Sequence, residues 1–208
     1  MITLVLTAFE PFDGRQVNSS LEVARDVASE PHSGLELTLL ELPVVRERCE
    51  EILFDYLNTD TPQILLMLGE AGDRLRVTPE RIAVNRECFR IPDNAGTQPG
   101  DQLIDPAGPA GYFATLPVEM MVNQMQQSNI PAEMSYTAGQ YVCNRLFYRA
   151  MHYIAQKPLH MEAGFIHLPF LHEQALSAGG HSAGLSRQTL VAAVQIAIEV
   201  AMTRHVAR

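Results

Sequence analysis

Apolar, β-branched runs alternate with helical patterns from one end of the chain to the other. Ile2 to Phe9 is a continuous apolar run and predicts a buried strand. Asn18-Ser19-Ser20-Leu21-Glu22 follows, with Ser19 and Glu22 at capping-box spacing and Leu21, Ala24 and Ala28 on one helical face, so the first unit reads strand, loop, helix. Leu35 to Leu42 predicts the next strand, Val44 to Asn58 a helix, and Gln63 to Leu68 a strand that ends at Gly69. A mixed section comes next, with a short extended run from Arg81 to Arg90 and a loop rich in Pro, Gly and Asp from Ile91 to Gly111. Loops of that length in a compact domain usually serve a function or an interface. The alternation then resumes: helix from Val118 to Ser128, strand from Ala132 to Tyr136, helix from Tyr141 to Lys157, strand from Ala163 to Leu168, and a closing helix from Ser186 to His205.

Strands alternating with helices predict an α/β fold: a single-domain open, mostly parallel sheet with helices on both faces, spanning residues 1–208. In such sheets ligands bind beyond the carboxyl ends of the strands. The positions to watch are therefore Phe9 to Gly14, Gly69 to Arg74, Thr137 to Cys143, and His167 with the residues after it.

Composition narrows the function. Hydrophobic residues make up 47% and charged residues 19%, which describes a folded globular chain, and 208 residues suffice for one substantial core or at most two small ones. Lys and Arg number 15 against 24 Asp and Glu, a net charge of −9, which argues against nucleic acid as a partner and for small-molecule or peptide substrates. The first residues carry no basic region or small-residue cleavage site, and no apolar run approaches the length of a membrane span. A cytoplasmic protein with reduced thiols is expected, with no membrane partner.

The thiols supply the candidate chemistry. Cys143 stands where the loop Tyr136-Thr137-Ala138-Gly139-Gln140 runs into a helical pattern. The unpaired amides and positive dipole of a helix start favour thiolate and predict a pKa below the free value of roughly 8.5. A buried structural cysteine is the competing reading. Cys49 and Cys88 fit that structural reading, and no spacing in the chain suggests zinc or a disulfide framework.

A cysteine nucleophile needs a base, and the base needs an orienting partner. Of the 7 histidines, His32, His152, His160 and His205 read as solvated and His181 lies in a glycine-rich loop. His167 is polar within the apolar strand Gly164-Phe165-Ile166-His167-Leu168-Pro169, at its carboxyl end, with His172-Glu173 as a competitor in loop sequence. Glu80 opens a short segment with Ile82 and Val84 on its face, which predicts partial burial. The residues alone leave it as either an imidazole-orienting acid or a surface carboxylate paired with arginine.

At this point the chain resembles the pyrrolidone-carboxylate peptidases (pyroglutamyl peptidase I), a family of cysteine peptidases. The resemblance is carried nearly end to end by Phe9-Glu10-Pro11-Phe12, Pro79-Glu80-Arg81-Ile82-Ala83-Val84-Asn85, Arg90-Ile91-Pro92-Asp93-Asn94, Ala138-Gly139 with Val142-Cys143-Asn144, and Gly164-Phe165-Ile166-His167-Leu168-Pro169. It implies a triad of Cys143, His167 and Glu80, and removal of an N-terminal L-pyroglutamyl residue from peptides through a thioester. It implies Arg90 as an oxyanion donor beside an amide at the helix start, where a salt bridge to Asp93 is the plain alternative. Phe9 and Phe12 match the family's ring-sandwiching aromatics, although their spacing also suits core packing. Relatives are often tetrameric, so a homo-oligomer is expected; the chemistry calls for no metal or organic cofactor.

The chain departs from the family pattern in places. The family usually has Gly-Gln-Ala-Gly-Gly-Arg where Gly69-Glu70-Ala71-Gly72-Asp73-Arg74 stands, glycine at Ala8 and Asp13, and proline at Ser19. Substrate-binding use of Glu70 through its backbone would leave specificity intact, whereas use of its side chain would shift it. A cysteine amidase for another small cyclic or N-blocked amide, and a non-catalytic α/β binding module, are the alternatives.

Overall fold

The structure is a computed structural model and describes residues 1–157, 160–177 and 183–206, so His181 lies outside the described residues. Along the chain run β1 (Ile2–Phe9), α1 (Ser19–Ser29), β2 (Leu35–Leu42), α2 (Arg48–Thr59), β3 (Ile64–Glu70), β4 (Thr78–Glu80), β5 (Ile82–Val84) and β6 (Gly111–Phe113). They are followed by α3 (Val118–Gln127), α4 (Val142–Ala155), β7 (Glu162–Leu168), β8 (Phe170–Leu171), α5 (His172–Ser177), β9 (Gly184–Leu185) and α6 (Arg187–Val206).

The central sheet has the order β2-β1-β3-β7-β4. Its first four strands are mutually parallel, and β4 closes one edge antiparallel to β7. Alternation along the strands divides the core between the two faces. Leu4, Leu6, Leu66 and Ile166 pack toward α1, α3 and α6, while Val5, Leu65, Met67 and Phe165 pack toward α2 and α4. Every residue of β3 and β7 is buried, which is why their sequences read as mostly apolar runs, with polar residues only at or near the strand ends. The helix α6 is long and apolar enough by composition to cross a bilayer, contrary to the expectation that no such run exists. Its Leu190, Val194, Ala197 and Ile198 instead belong to the core.

Four local expectations change. Asn18, not Ser19, caps α1: its side chain accepts from the Ser20 amide at 3.0 Å. α2 starts at Arg48, four residues later than predicted, because the amides of Val44 and Arg46 donate to the carboxylates of Glu10 and Asp93. Of the extended run from Arg81 to Arg90 only Ile82–Val84 forms a strand, β5, and β4 precedes the run; the Arg81 amide between them donates to the Ser135 carbonyl. The predicted strand from Ala132 to Tyr136 is not formed. That segment runs along the outer edge of β4, forming isolated bridges at Val77–Ala132 and Glu80–Ser135 and no continuous ladder.

Candidate active site

His167 sits next to last in β7 and is 4% exposed; its Nδ1 lies 2.7 Å from Glu80 Oε1. The sheet register creates this contact. Thr78 is opposite His167 and Glu80 opposite Phe165, so Glu80 reaches the imidazole as a diagonal neighbour on one face of the antiparallel pair. Glu80 is fully buried, its Oε1 also accepts from Arg74 Nη1 at 2.6 Å, and its Oε2 has no hydrogen-bond partner. Arg74 is itself held by the Thr78 hydroxyl and by the Thr137 carbonyl at 2.7 Å. A carboxylate can only accept, so Nδ1 carries the hydrogen and Nε2 is the ring nitrogen left to act as a base. Burial lowers the His167 pKa below its ordinary value despite the raising influence of Glu80, so the imidazole is neutral at neutral pH.

Cys143 is the second residue of α4, as the loop-to-helix pattern predicts. Gly139 turns the chain at φ 78° and Tyr141 stands extended at the N-cap, which brings the loop onto the helix start. The thiol lies over Gly69: a Cβ at that position would be 3.0 Å from Cys143 Sγ and 2.8 Å from the Phe165 ring. Cys143 and His167 line one cavity of about 600 Å³, without a direct hydrogen bond between them. Catalytic pairs are often looser without substrate than in the reacting complex.

The expected depression of the Cys143 pKa does not occur: the thiol is pushed up to about 12. Burial is the main cause, and the negative charges of Glu80 and Glu70 add to it. Arg74 and the backbone at the helix start act in the opposite direction and are outweighed. The resting Cys143 side chain is a thiol, beside a neutral imidazole.

Phe9, Phe12, Glu70 and Arg90 also line the cavity. Arg90 makes no ion pair with Asp93, whose Oδ1 accepts from the amides of Ala95 and Thr97 and whose Oδ2 accepts from that of Arg46. Phe9 is buried within the core, as its spacing allows, and also lines the cavity. The Glu70 carboxylate is engaged by Arg15 Nη1 at 3.1 Å, the Ser19 amide at 2.7 Å and Gln174 Nε2 at 2.7 Å. Two departures from the family pattern, Glu70 and Ser19, therefore meet in one hydrogen bond that a proline at position 19 could not donate.

Cys88 is exposed on the cavity wall and is not the buried filler expected from sequence; Cys49 is fully buried. The competing His172 and Glu173 are exposed at the start of α5. Three of the histidines read as solvated are half-buried and bonded: His32 to the Val27 carbonyl, His152 to the Tyr112 hydroxyl, and His205 to Gln63 and Glu162.

Sequence reasoning assigned no role to Arg74, Arg15, Asn144 or the ionic network beneath the site. Asn144, directly after Cys143, bonds the Val84 amide and the carbonyls of Val84 and Arg86, tying α4 to the segment that leads to Arg90. Glu87 is fully buried and accepts from Arg46 Nε at 3.0 Å, Gln102 at 2.7 Å and Arg145 Nη1 at 2.8 Å. Burial works against its charge, but these donors together hold the Glu87 carboxyl below its ordinary value. Arg145 also binds Glu50, so one network fixes α2, α4 and the Arg90 segment together.

A thiol, an imidazole and a buried carboxylate at the carboxyl edge of a mostly parallel sheet are the parts of an α/β cysteine hydrolase. The family model for pyroglutamyl peptidases matches residues 2–204. The chain is 42% identical over 191 residues to the pyrrolidone-carboxylate peptidase of Vibrio vulnificus strain CMCP6, covering 92% of this chain and 88% of that one. It is 39% identical over 202 residues to that of Bacillus cytotoxicus, covering 97% and 94%. The crystal structure of pyroglutamyl peptidase I from Bacillus amyloliquefaciens superimposes with a TM-score of 0.93 at 35% identity, over 98% of this chain and 96% of that one. Pyrrolidone carboxyl peptidase from Pyrococcus furiosus does so at 0.93 and 34%, over 98% and 100%. The chain belongs to the pyroglutamyl peptidase family.

Proposed function

We propose that this protein removes an N-terminal L-pyroglutamyl residue from peptides, with Cys143 as nucleophile, His167 as general base and acid, and Glu80 as the orienting carboxylate. The observation that carries the reading is the 2.7 Å contact from His167 to buried Glu80, which leaves Nε2 as the working nitrogen of a base in the same cavity as the thiol. Nε2 takes the thiol proton as Sγ bonds to the pyroglutamyl carbonyl carbon. The same nitrogen returns the proton to the departing amine when the carbon–nitrogen bond breaks. Water, deprotonated by His167, then opens the thioester and releases pyroglutamate and the free thiol. The raised thiol pKa fits this order, since proton transfer accompanies attack and no standing thiolate is needed.

Arg90 and an amide at the start of α4 stabilise the tetrahedral oxyanion; each such donor contributes roughly 2.7–4 kcal/mol to a transition state. Phe9 and Phe12 form apolar walls for the lactam, and Glu70 serves through its backbone. The engaged Glu70 carboxylate supports this specificity over a pocket remade for a different acyl group.

The test is release of fluorophore from a pyroglutamyl amide, beside prolyl and glutamyl analogues, by the protein and its Cys143→Ala variant. Cysteine-dependent turnover of the pyroglutamyl compound is expected; turnover confined to another acyl group, or none at all, would sink the reading.

A further inference from the structure

Arg15 lines the cavity, yet the acyl-transfer chemistry gives it no task. Its guanidinium carbon stands 5.5 Å over the Phe12 ring and 4.8 Å over the Phe170 ring. Phe170 can approach because residue 72 is glycine: a Cβ there would stand 2.0 Å from that ring. Nη1 of Arg15 binds Glu70 at 3.1 Å, and Nη2 lies 3.6 Å from Asp13 at the surface. The Glu70 side chain is 1% exposed and its oxygens are turned to protein donors, whereas the Arg15 side chain is 37% exposed. This stretch of wall therefore offers an occupant a cation framed by two aromatic faces. Of the other charged groups on the cavity, Arg74 is taken by Glu80, His167 is neutral, and the exposed Asp73 and Arg90 carry opposite charges.

We propose that Arg15 is a specificity-determining residue of the acyl pocket, which disfavours acyl groups bearing a protonated amine and so favours the uncharged lactam over unblocked N-termini. The inference rests on the functional reading above. A prolyl ring has nearly the size of the lactam, and differences that small are weakly separated by shape. Its nitrogen, however, is protonated at neutral pH, with a pKa of roughly 8 for an α-amine. A fixed cation on the wall discriminates on that charge, and rejection by like charge is an effective route to specificity.

The experiment measures kcat/KM for pyroglutamyl and prolyl anilides from about pH 6.5 to about pH 9.5, spanning the amine pKa. It uses the wild type and the Arg15→Lys, Arg15→Gln and Arg15→Glu variants, with the ratio of the two substrates taken within each enzyme. At the acid end the preference for the lactam is expected to narrow by about fivefold or more in Arg15→Gln and further in Arg15→Glu, while Arg15→Lys retains it. The four ratios converge at the alkaline end, where the prolyl amine is neutral; a purely structural role would give offsets that do not follow pH. Where the wild type turns over no prolyl substrate, its appearance in Arg15→Glu is the supporting result. A ratio indifferent to the charge at residue 15, or prolyl turnover absent from all four enzymes, overturns the proposal. Absence of pyroglutamyl turnover in the wild type would instead overturn the functional reading beneath it.

Discussion

Gly69 lies directly beneath the Cys143 thiol: a Cβ at that position would sit 3.0 Å from Cys143 Sγ and 2.8 Å from the Phe165 ring. The glycine at the end of β3 is thus a spacing requirement of the thiol. Gly69→Ala should overpack this layer at a cost of about 1–3 kcal/mol and displace Sγ, lowering kcat by roughly tenfold or more. Steady-state kinetics and thermal unfolding check this, and an alanine variant with wild-type kcat would show that the thiol has room to spare.

Glu80 serves two partners, so Glu80→Gln carries two effects. Loss of the carboxylate should reduce kcat by about 100-fold or more with little change in KM, because the imidazole loses its fixed tautomer. Arg74 also loses its counter-charge, which costs about 3–5 kcal/mol when a buried pair is broken. Kinetics taken well below the variant's melting temperature separate the two, and a kcat near that of the wild type would remove Glu80 from the machinery.

The pH profile of kcat/KM follows from His167. The base works when neutral, and burial lowers its pKa, so activity is lost on acidification only as pH falls through a value below the ordinary 6.5. An acid limb centred above 6.5 would contradict this environment.

Alkylation of the resting enzyme reads the thiol. With the Cys143 pKa pushed up to about 12, its rate with a neutral reagent such as iodoacetamide should still be climbing at about pH 9. Cys88 is exposed, so the measurement is made on a Cys88→Ser background. A plateau near neutrality would reveal a standing thiolate.

Asn144→Ala removes one side chain that satisfies the Val84 amide and the carbonyls of Val84 and Arg86. Stranding these groups should lower stability by about 2–4 kcal/mol. Denaturant titration measures it; a loss under about 0.5 kcal/mol would mean the backbone finds other partners.

The fold was legible wherever burial alone dictates the pattern. The apolar run at 2–9 has the bounds of β1, the mixed run at 35–42 those of the half-buried edge strand β2, and Cys143 lies at a helix start as its loop predicts. Legibility failed where side chains compete for backbone groups. Asn18 takes the capping role read for Ser19, and Glu10 and Asp93 delay α2. Contacts across long separations, such as Arg15 with Glu70 or Arg145 with Glu87, leave no periodic trace in sequence. The thiol pKa was misread because a helix start is visible in sequence and the desolvation around it is not.

Glu80 and His167 are joined by the pairing of β4, three residues long, with the carboxyl end of β7. Opening of so short a segment demands less free energy than global unfolding. Detachment of those three residues would separate Glu80 from His167 while the four parallel strands remain intact. On heating, the protein should therefore fall silent while still folded by every spectroscopic measure, so its working temperature range is narrower than its melting curve implies.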